Sequence, residues 1–367
     1  MRFTISREQI LIPLQQAVSI IERKQTIPIL GNVLMQIQDS RLILIGSDSE
    51  IQLISVIPVL QESEDFSMTA PSKKLLDICR LLPSNSEIHV ELLEEKIRVS
   101  SGRGRYSLST LPADDYPEFN ETSYDYQFKI NAGKFKKGLD KTLFCMANQD
   151  IRFYLNGLLL HISNSKIKLV ASDGHRLSIF EDELGSATGY EARIIIPRKA
   201  VLELNRIIED KEAELEVLFS ANQLKVLYGN VVFSTKLIDA KFPDFGKVFN
   251  QTFLPPIHVQ KELFKNALTR VAILSSEKFK TICCDFSHDL LRLTAQNPDL
   301  DEAEEEVTLE YGGEPLTIYF NSQYLLEALN NLDAELATIN ITANHSSCFI
   351  QEPLESIYKF IVMPVRM

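Results

Sequence analysis

The segment Phe3 to Ala17, FTISREQILIPLQQA, returns as FKINAGKFKKGLDKT over Phe128 to Thr142 and as IHVQKELFKNALTRV over Ile257 to Val271. A recurrence of this kind must be accommodated by three like units before any other fold reading is entertained. Phe3, Ile10 and Leu14 align with Phe128, Phe135 and Leu139, and with Ile257, Phe264 and Leu268, at constant offsets of seven and eleven. The alternating start predicts a strand. The i, i+4 spacing behind it puts the later pair on one buried helical stripe. Ser6 and Gln9 have capping-box spacing, and Asn131 is the expected N-cap of the second copy.

The recurrence extends further. LILIGSD (Leu42 to Asp48), IKLVASD (Ile167 to Asp173) and LRLTAQN (Leu291 to Asn297) each predict a strand and a tight turn. Second helices are expected over Ala70 to Leu82, Ile196 to Ile208 and Phe320 to Leu332, with Pro71 and Pro197 near two of their starts. YSLSTL (Tyr106 to Leu111), VFSTKL (Val232 to Leu237) and YKFIVM (Tyr358 to Met363) close the units as strands. Pro112 to Gln127 and Ile238 to Pro256 have linker composition. The expectation is an α+β protein of three similar domains, 1–122, 128–248 and 254–367, each with two helices against β-sheets.

The 367 residues, 45% hydrophobic and 24% charged, are those of an ordinary globular chain. No apolar run is long enough to span a membrane, and the opening reads as a strand with charges at Arg2, Arg7 and Glu8, not a signal peptide. Five scattered cysteines, without metal-ligand spacing, read as reduced thiols in a cytoplasmic protein.

Net charge is −12, which by itself argues against a nucleic-acid binder. The charge is unevenly placed, however. The six helical segments together carry +9, leaving −21 for the remainder. Solvated helix faces commonly expose Lys and Arg, but they mix both signs. An organised basic surface is the better reading, with Lys136, Lys137 and Arg198 among its members, and phosphates as its natural counter-charge. No base-reading signature accompanies it, so binding is expected to ignore sequence.

TIPILGN (Thr26 to Asn32), YLNG (Tyr154 to Gly157), SDGHRL (Ser172 to Leu177), FPDF (Phe242 to Phe245) and VMPVRM (Val362 to Met367) resemble the bacterial DNA polymerase III beta subunit family, the sliding clamps of replication. The resemblance runs the length of the chain. It implies a head-to-tail homodimeric ring that encircles duplex DNA, slides without sequence preference and tethers a polymerase. The implied partners are double-stranded DNA, the polymerase catalytic subunit, the clamp loader and other proteins with short hydrophobic peptides; no membrane, cofactor or metal is implied.

By the same resemblance, DNA contacts fall on Lys24, Lys73, Gln149, Phe153 and Tyr154, where Lys24 and Lys73 replace the family's Arg and Phe153 its Tyr. Half-buried packing explains Tyr154 equally well. The implied peptide cleft uses Leu155, Ser172, Gly174, His175, Arg176, Leu177, Pro243, Lys247, Val248, Val362, Met363, Pro364, Val365, Arg366 and Met367. Ser172 stands where Thr is frequent and Met367 where Leu is. The final strand is expected to end at Pro364, with the last residues exposed. For the ring joint, a basic, half-apolar strand (Arg103, Arg105, Tyr106, Leu108) is set against Ile273, Leu274 and the acids Glu302, Glu304 and Glu305.

Enzyme readings fare worse. Ser172, Asp173 and His175 name a triad but crowd one turn. The six histidines lack metal spacing, and no phosphate-binding glycine loop is present. A non-catalytic role is therefore expected. The alternatives are a three-domain peptide-recruiting scaffold that does not encircle DNA and, more remotely, a hydrolase using His175.

Overall fold

In a computed structural model of the chain, all nine repeat positions from Phe3 to Leu268 lie in the core, none more than 5% exposed. The structure describes residues 1–22, 26–62, 64–117, 119, 123–354 and 357–366. Six α-helices occur among them: α1 (Arg7–Ile20), α2 (Ser72–Leu81), α3 (Ala132–Thr142), α4 (Arg198–Ile207), α5 (Lys261–Ala272) and α6 (Ser322–Asn330). Half of the expected capping box is formed: Ser6 Oγ accepts from Gln9 N (3.3 Å), but Gln9 Oε1 accepts from the Ser6 hydroxyl (2.9 Å) and not from its backbone amide. Asn131 Oδ1 accepts from Lys134 N at the head of α3.

The second helices are shorter than the sequence pattern suggests. Ala70 and Pro71 pair with Val33 and Asn32 as the end of a strand, and Pro197 pairs with Gly157, so α2 and α4 start one residue after each proline. Sheet pairing there outcompetes helix propensity.

The chain forms two compact bodies, residues 1–136 with 199–237, and residues 137–198 with 238–367. The first holds a five-stranded and an eight-stranded antiparallel sheet. The second holds an eight-stranded and a four-stranded one. Each eight-stranded sheet is a joint between repeats. In the first body, Val231–Lys236 of the second repeat pairs with Ile51–Pro58 of the first, Phe233 opposite Leu53. In the second body, Tyr358–Val362 of the third repeat pairs with Arg176–Glu183 of the second, Phe360 opposite Ser178.

Strand registers make the repeat quantitative. One row runs Phe3, Val90, Val99, Tyr106; its counterparts run Phe128, Val217, Val226, Phe233 and Ile257, Ile339, Ile350, Phe360. Tyr106 thus occupies the place of Phe233 and Phe360. Likewise Leu44, Leu169 and Leu293 face Ser55, Phe180 and Glu305, so Leu53, Ser178 and Ala303 are counterparts, each two residues earlier.

Helix and sheet approach closely at Gly46. A Cβ there would lie 2.5 Å from the Ala17 carbonyl oxygen of α1, so only glycine permits this contact.

Candidate nucleic-acid face and partner cleft

On α2, Lys73, Lys74 and Arg80 are exposed and have no ion-pair partner among the described residues. Lys73 and Arg80 border a cavity of about 1120 Å³ that Gln15, Gln16, Lys199 and Arg206 also line. Lys24 lies outside the described residues. Gln149 is exposed with a left-handed backbone (φ 58°). Phe153 is 56% exposed, its ring edge-on to Tyr154 at 6.1 Å. Tyr154 itself is half-buried against the cluster of Leu159, Val170 and Leu177, as the packing alternative expects.

Much of the helical positive charge is already spent within the chain. Lys137 Nζ lies 3.1 Å from Asp333 Oδ2. Lys136 donates to the Asn205 carbonyl, and the half-buried Arg198 to the Met146 carbonyl (2.8 Å). Lys199 is held between Glu22 (3.0 Å) and the nearly buried Asp48. Burial alone would lower the Lys199 pKa, but the hydrogen bonds it donates to Asp48 and Glu22 outweigh it and raise it. Arg270 and Glu305 form a bidentate pair at 2.5 and 2.6 Å. The helical excess therefore overstates the charge available to a ligand, because acids of the same body neutralise part of it. The freest part of it is on α2.

The turn after Lys166–Ser172 is tightly built. Asp173 Oδ1 accepts from His175 N (2.9 Å) and Arg176 N (3.0 Å). Ser172 Oγ accepts from Gly174 N and donates to Arg176 O. Gly174 has φ +87°, and a Cβ on it would lie 2.6 Å from the Arg152 guanidinium. Arg152 in turn holds the Asp150 carboxyl down to about 2 through its hydrogen bonds. Ser172 and Asp173 are thus consumed by backbone contacts, and the side chains needed for a nucleophile and a base are committed elsewhere.

Arg176 is 9% exposed and fully engaged. It donates to Asp173 (Nε to Oδ2, 3.0 Å), to Glu327 and to the Phe144 carbonyl (2.8 Å). Its guanidinium sits 4.5 Å from the centre of the Tyr324 ring. As a cleft residue it positions the turn and offers little contact of its own. Phe144, Tyr324 and Glu327 escaped the sequence reading; the one available signal was that Glu327 is the sole charge in its helix.

The tail runs alongside this turn. Met363 N donates to His175 O and Val365 N to Tyr319 O, both 2.8 Å. The strand ends at Val362, two residues earlier than expected, after which each of these amides makes a single isolated bond. Leu155, Leu177 and Val362 are buried, Leu177 opposite Ile361 and Val362 opposite Arg176 in register, while Met363 is 41% exposed. Pro364 and Val365 are half-buried and Arg366 is exposed. Val248 packs on the Leu177 cluster; Pro243 and Lys247 are exposed beside it. Met367 lies outside the described residues.

Arg105 and Tyr106 lie on Gly104–Ser109, an edge strand of the five-stranded sheet, with Leu108 half-buried and Arg103 in the preceding turn. Glu302, Glu304 and Glu305 lie on Glu302–Thr308, an edge of the four-stranded sheet. Ile273 is 75% exposed and Leu274 is half-buried. Among the described residues no group of His, Cys, Asp or Glu is arranged to hold a metal, and no helix is long and apolar enough to cross a membrane.

Family profiles for the N-terminal, central and C-terminal domains of the DNA polymerase III beta subunit match residues 1–120, 129–244 and 247–366. The chain belongs to that family. It is 36% identical to a beta sliding clamp of Pseudomonas aeruginosa and 37% identical to one of Escherichia coli K12, each alignment covering all of both chains. A crystal structure of the Pseudomonas aeruginosa clamp bound to griselimycin superposes with a TM-score of 0.97 at 36% identity, again over the full length of both. The fold is the three-domain clamp fold, and the function is that of a sliding clamp.

Proposed function

We propose that two copies of this chain join head to tail into a closed ring around duplex DNA, and that the ring tethers a polymerase through the cleft beside His175. The observation that carries this reading is a third joint left unmade. Phe233 and Phe360 are both 1% exposed because a strand of the neighbouring repeat covers them. Their counterpart Tyr106 is 38% exposed on an open edge. The counterpart of Leu53 and Ser178, Ala303, also lies on an open edge. Open edges present unpaired backbone donors and acceptors. A second copy satisfies both in the register of the two internal joints, setting Tyr106 opposite Ala303 and Arg105 opposite Glu304. Arg103, Arg105, Glu302 and Glu304 then supply opposite charges, Glu305 being already held by Arg270, and Leu108, Ile273 and Leu274 the apolar contact.

Closure makes retention topological, so DNA contacts need only be weak and sequence-neutral. Lys24, Lys73, Lys136, Lys137, Gln149, Phe153, Tyr154 and Arg198 are proposed for this face, with Lys73 the best supported because its charge is uncompensated. The domains are taken as 1–122, 128–248 and 254–367. The cleft, an apolar floor with a polar rim, suits short peptides with hydrophobic anchors from the polymerase, the clamp loader and other partners. The protein works without catalysis, in the cytoplasm. A scaffold that does not encircle DNA would have no use for two matched open edges.

Two measurements test the ring. Sedimentation should give a dimer, and a Tyr106→Cys, Ala303→Cys protein should crosslink between copies under mild oxidation. Loaded on nicked circular DNA, the protein should be retained at high salt and released when the circle is cut. A monomer, or indifference to linearisation, overturns the reading.

A further inference from the structure

Beside the tail cleft, the outer face of the second-repeat sheet holds a cavity of about 800 Å³. Its floor is Leu159 and Ile195, adjacent in register, and its wall is Phe242 and Phe245 from the linker, edge-on at 6.4 Å. The apolar strip of the floor does not stop there. Leu159 faces Val170 on the next strand, and the same buried cluster includes the cleft candidate Leu177 and, opposite it, Ile361. Pro243 belongs to the cavity lining and to the candidate cleft alike. The two sites thus share Pro243 and lie over one apolar cluster, on which the linker packs.

Three cations, Lys168, Arg193 and Lys241, border the cavity, with Asp244 as the one acid of the lining. Lys168 is shared with Glu181 (2.7 Å) and Arg193 with Glu191 (2.9 Å). Lys241 is exposed and has no partner among the described residues. Solvent-exposed ion pairs are worth little, so exchanging Glu181 or Glu191 for an incoming carboxylate has small cost. Lys241 is thus the uncompensated cation of the rim, and Arg193 the one most readily released to a ligand. His161, also in the lining, has its pKa lowered, by burial first and Arg193 second.

We propose that this cavity is an extension of the partner cleft that takes the acidic flank of a bound peptide, one or two carboxylates meeting Lys241 and Arg193 above the apolar floor. The proposal rests on the peptide-cleft reading. The probe is a set of synthetic peptides with leucine and phenylalanine anchors, flanked at either end by three aspartates or by three serines. The aspartate flank at one end should tighten binding roughly three- to twenty-fold at low salt, the sum of a few exposed ion pairs. The gain should vanish at 0.5 M salt and in an Arg193→Gln, Lys241→Gln protein, which should bind the serine peptide as the unaltered protein does. That unchanged affinity also reports that the variant is folded. Equal binding of the aspartate and serine peptides by the unaltered protein overturns the extension and leaves the cleft standing. No binding of the serine peptide overturns the cleft reading, and the extension with it.

Discussion

Lys141 of α3 places its ammonium 2.5 Å from Asp333 Oδ1 and 4.4 Å from the centre of the Tyr358 ring, joining the second repeat to the third inside one body. The lysine side chain is 8% exposed, so its charge depends on that carboxylate and on the Asn331 carbonyl. Removing one partner of a buried pair strands the other. Asp333 itself is 55% exposed, so solvent screens the pair, and Asp333→Asn should destabilise this body by about 1 kcal/mol. Burial alone would raise the Asp333 pKa, but the hydrogen bonds from Lys141 and Lys137 outweigh it and hold it below the ordinary 3.8. A depressed carboxylate stabilises fully above its unfolded pKa and loses that contribution as pH falls through the folded value. The gap between the two proteins in urea unfolding should be constant near pH 7 and shrink below about pH 4. A gap as wide at pH 3 as at pH 7 would mean that the carboxylate's charge is irrelevant.

Gly174→Ala should disturb the cleft more than its size suggests. The backbone is left-handed there, and the new methyl would meet the Arg152 guanidinium, which must then release Asp150 or Asp173. A loss of about 1–2 kcal/mol is expected, with weaker binding of an apolar anchor peptide. Calorimetric melting and peptide titration check both parts. If stability falls but peptide affinity holds, the turn is structural only.

Charge reversal should separate binding residues from structural ones. Lys73→Glu and Arg80→Glu touch no ion pair among the described residues, so folding should be unchanged. The salt dependence of DNA association should flatten by about one unit of slope for each phosphate that the variant no longer neutralises. Lys137→Glu, by contrast, puts a second acid beside Asp333 and should lower the melting temperature. Equal melting curves for all three variants would show that the Lys137 ion pair adds nothing to stability.

The repeat was legible because it is written in core residues: Phe135 and Phe264 have nowhere else to go, and their spacing survives in sequence. The two-body arrangement was not. Whether Val231–Lys236 ends a sheet or continues into Ile51–Pro58 depends on pairing between segments almost two hundred residues apart, and no local pattern encodes that. The basic helices were read correctly as a composition and too generously as a surface, since a lysine's spacing says nothing of the acid it will meet. For Arg176 the turn partner Asp173 was adjacent in sequence, but Glu327 and Tyr324 arrive from another repeat. Of the candidate cleft, then, the residues of one turn and the tail were visible, and the groups that hold them in place were not.

Tyr116-Pro117-Glu118-Phe119 repeats the pattern of Phe242-Pro243-Asp244-Phe245, and the two linkers cover matching patches of their sheets. Tyr116 packs at 6% exposure on Ile29, Leu30, Leu34 and Ile45, whereas Phe242 is half-buried beside the open cavity. One linker seals its patch and the other leaves a depression. Tyr116→Ala should therefore cost about 3–5 kcal/mol, the usual range for a buried aromatic, and Phe242→Ala clearly less. The Tyr116 hydroxyl is 3.5 Å from the Asn32 carbonyl, at the limit of a hydrogen bond, so Tyr116→Phe should cost under about 1 kcal/mol. Denaturant unfolding of the three variants orders them. If Phe242→Ala proves as costly as Tyr116→Ala, both patches are sealed alike and the asymmetry between the linkers has no energetic weight.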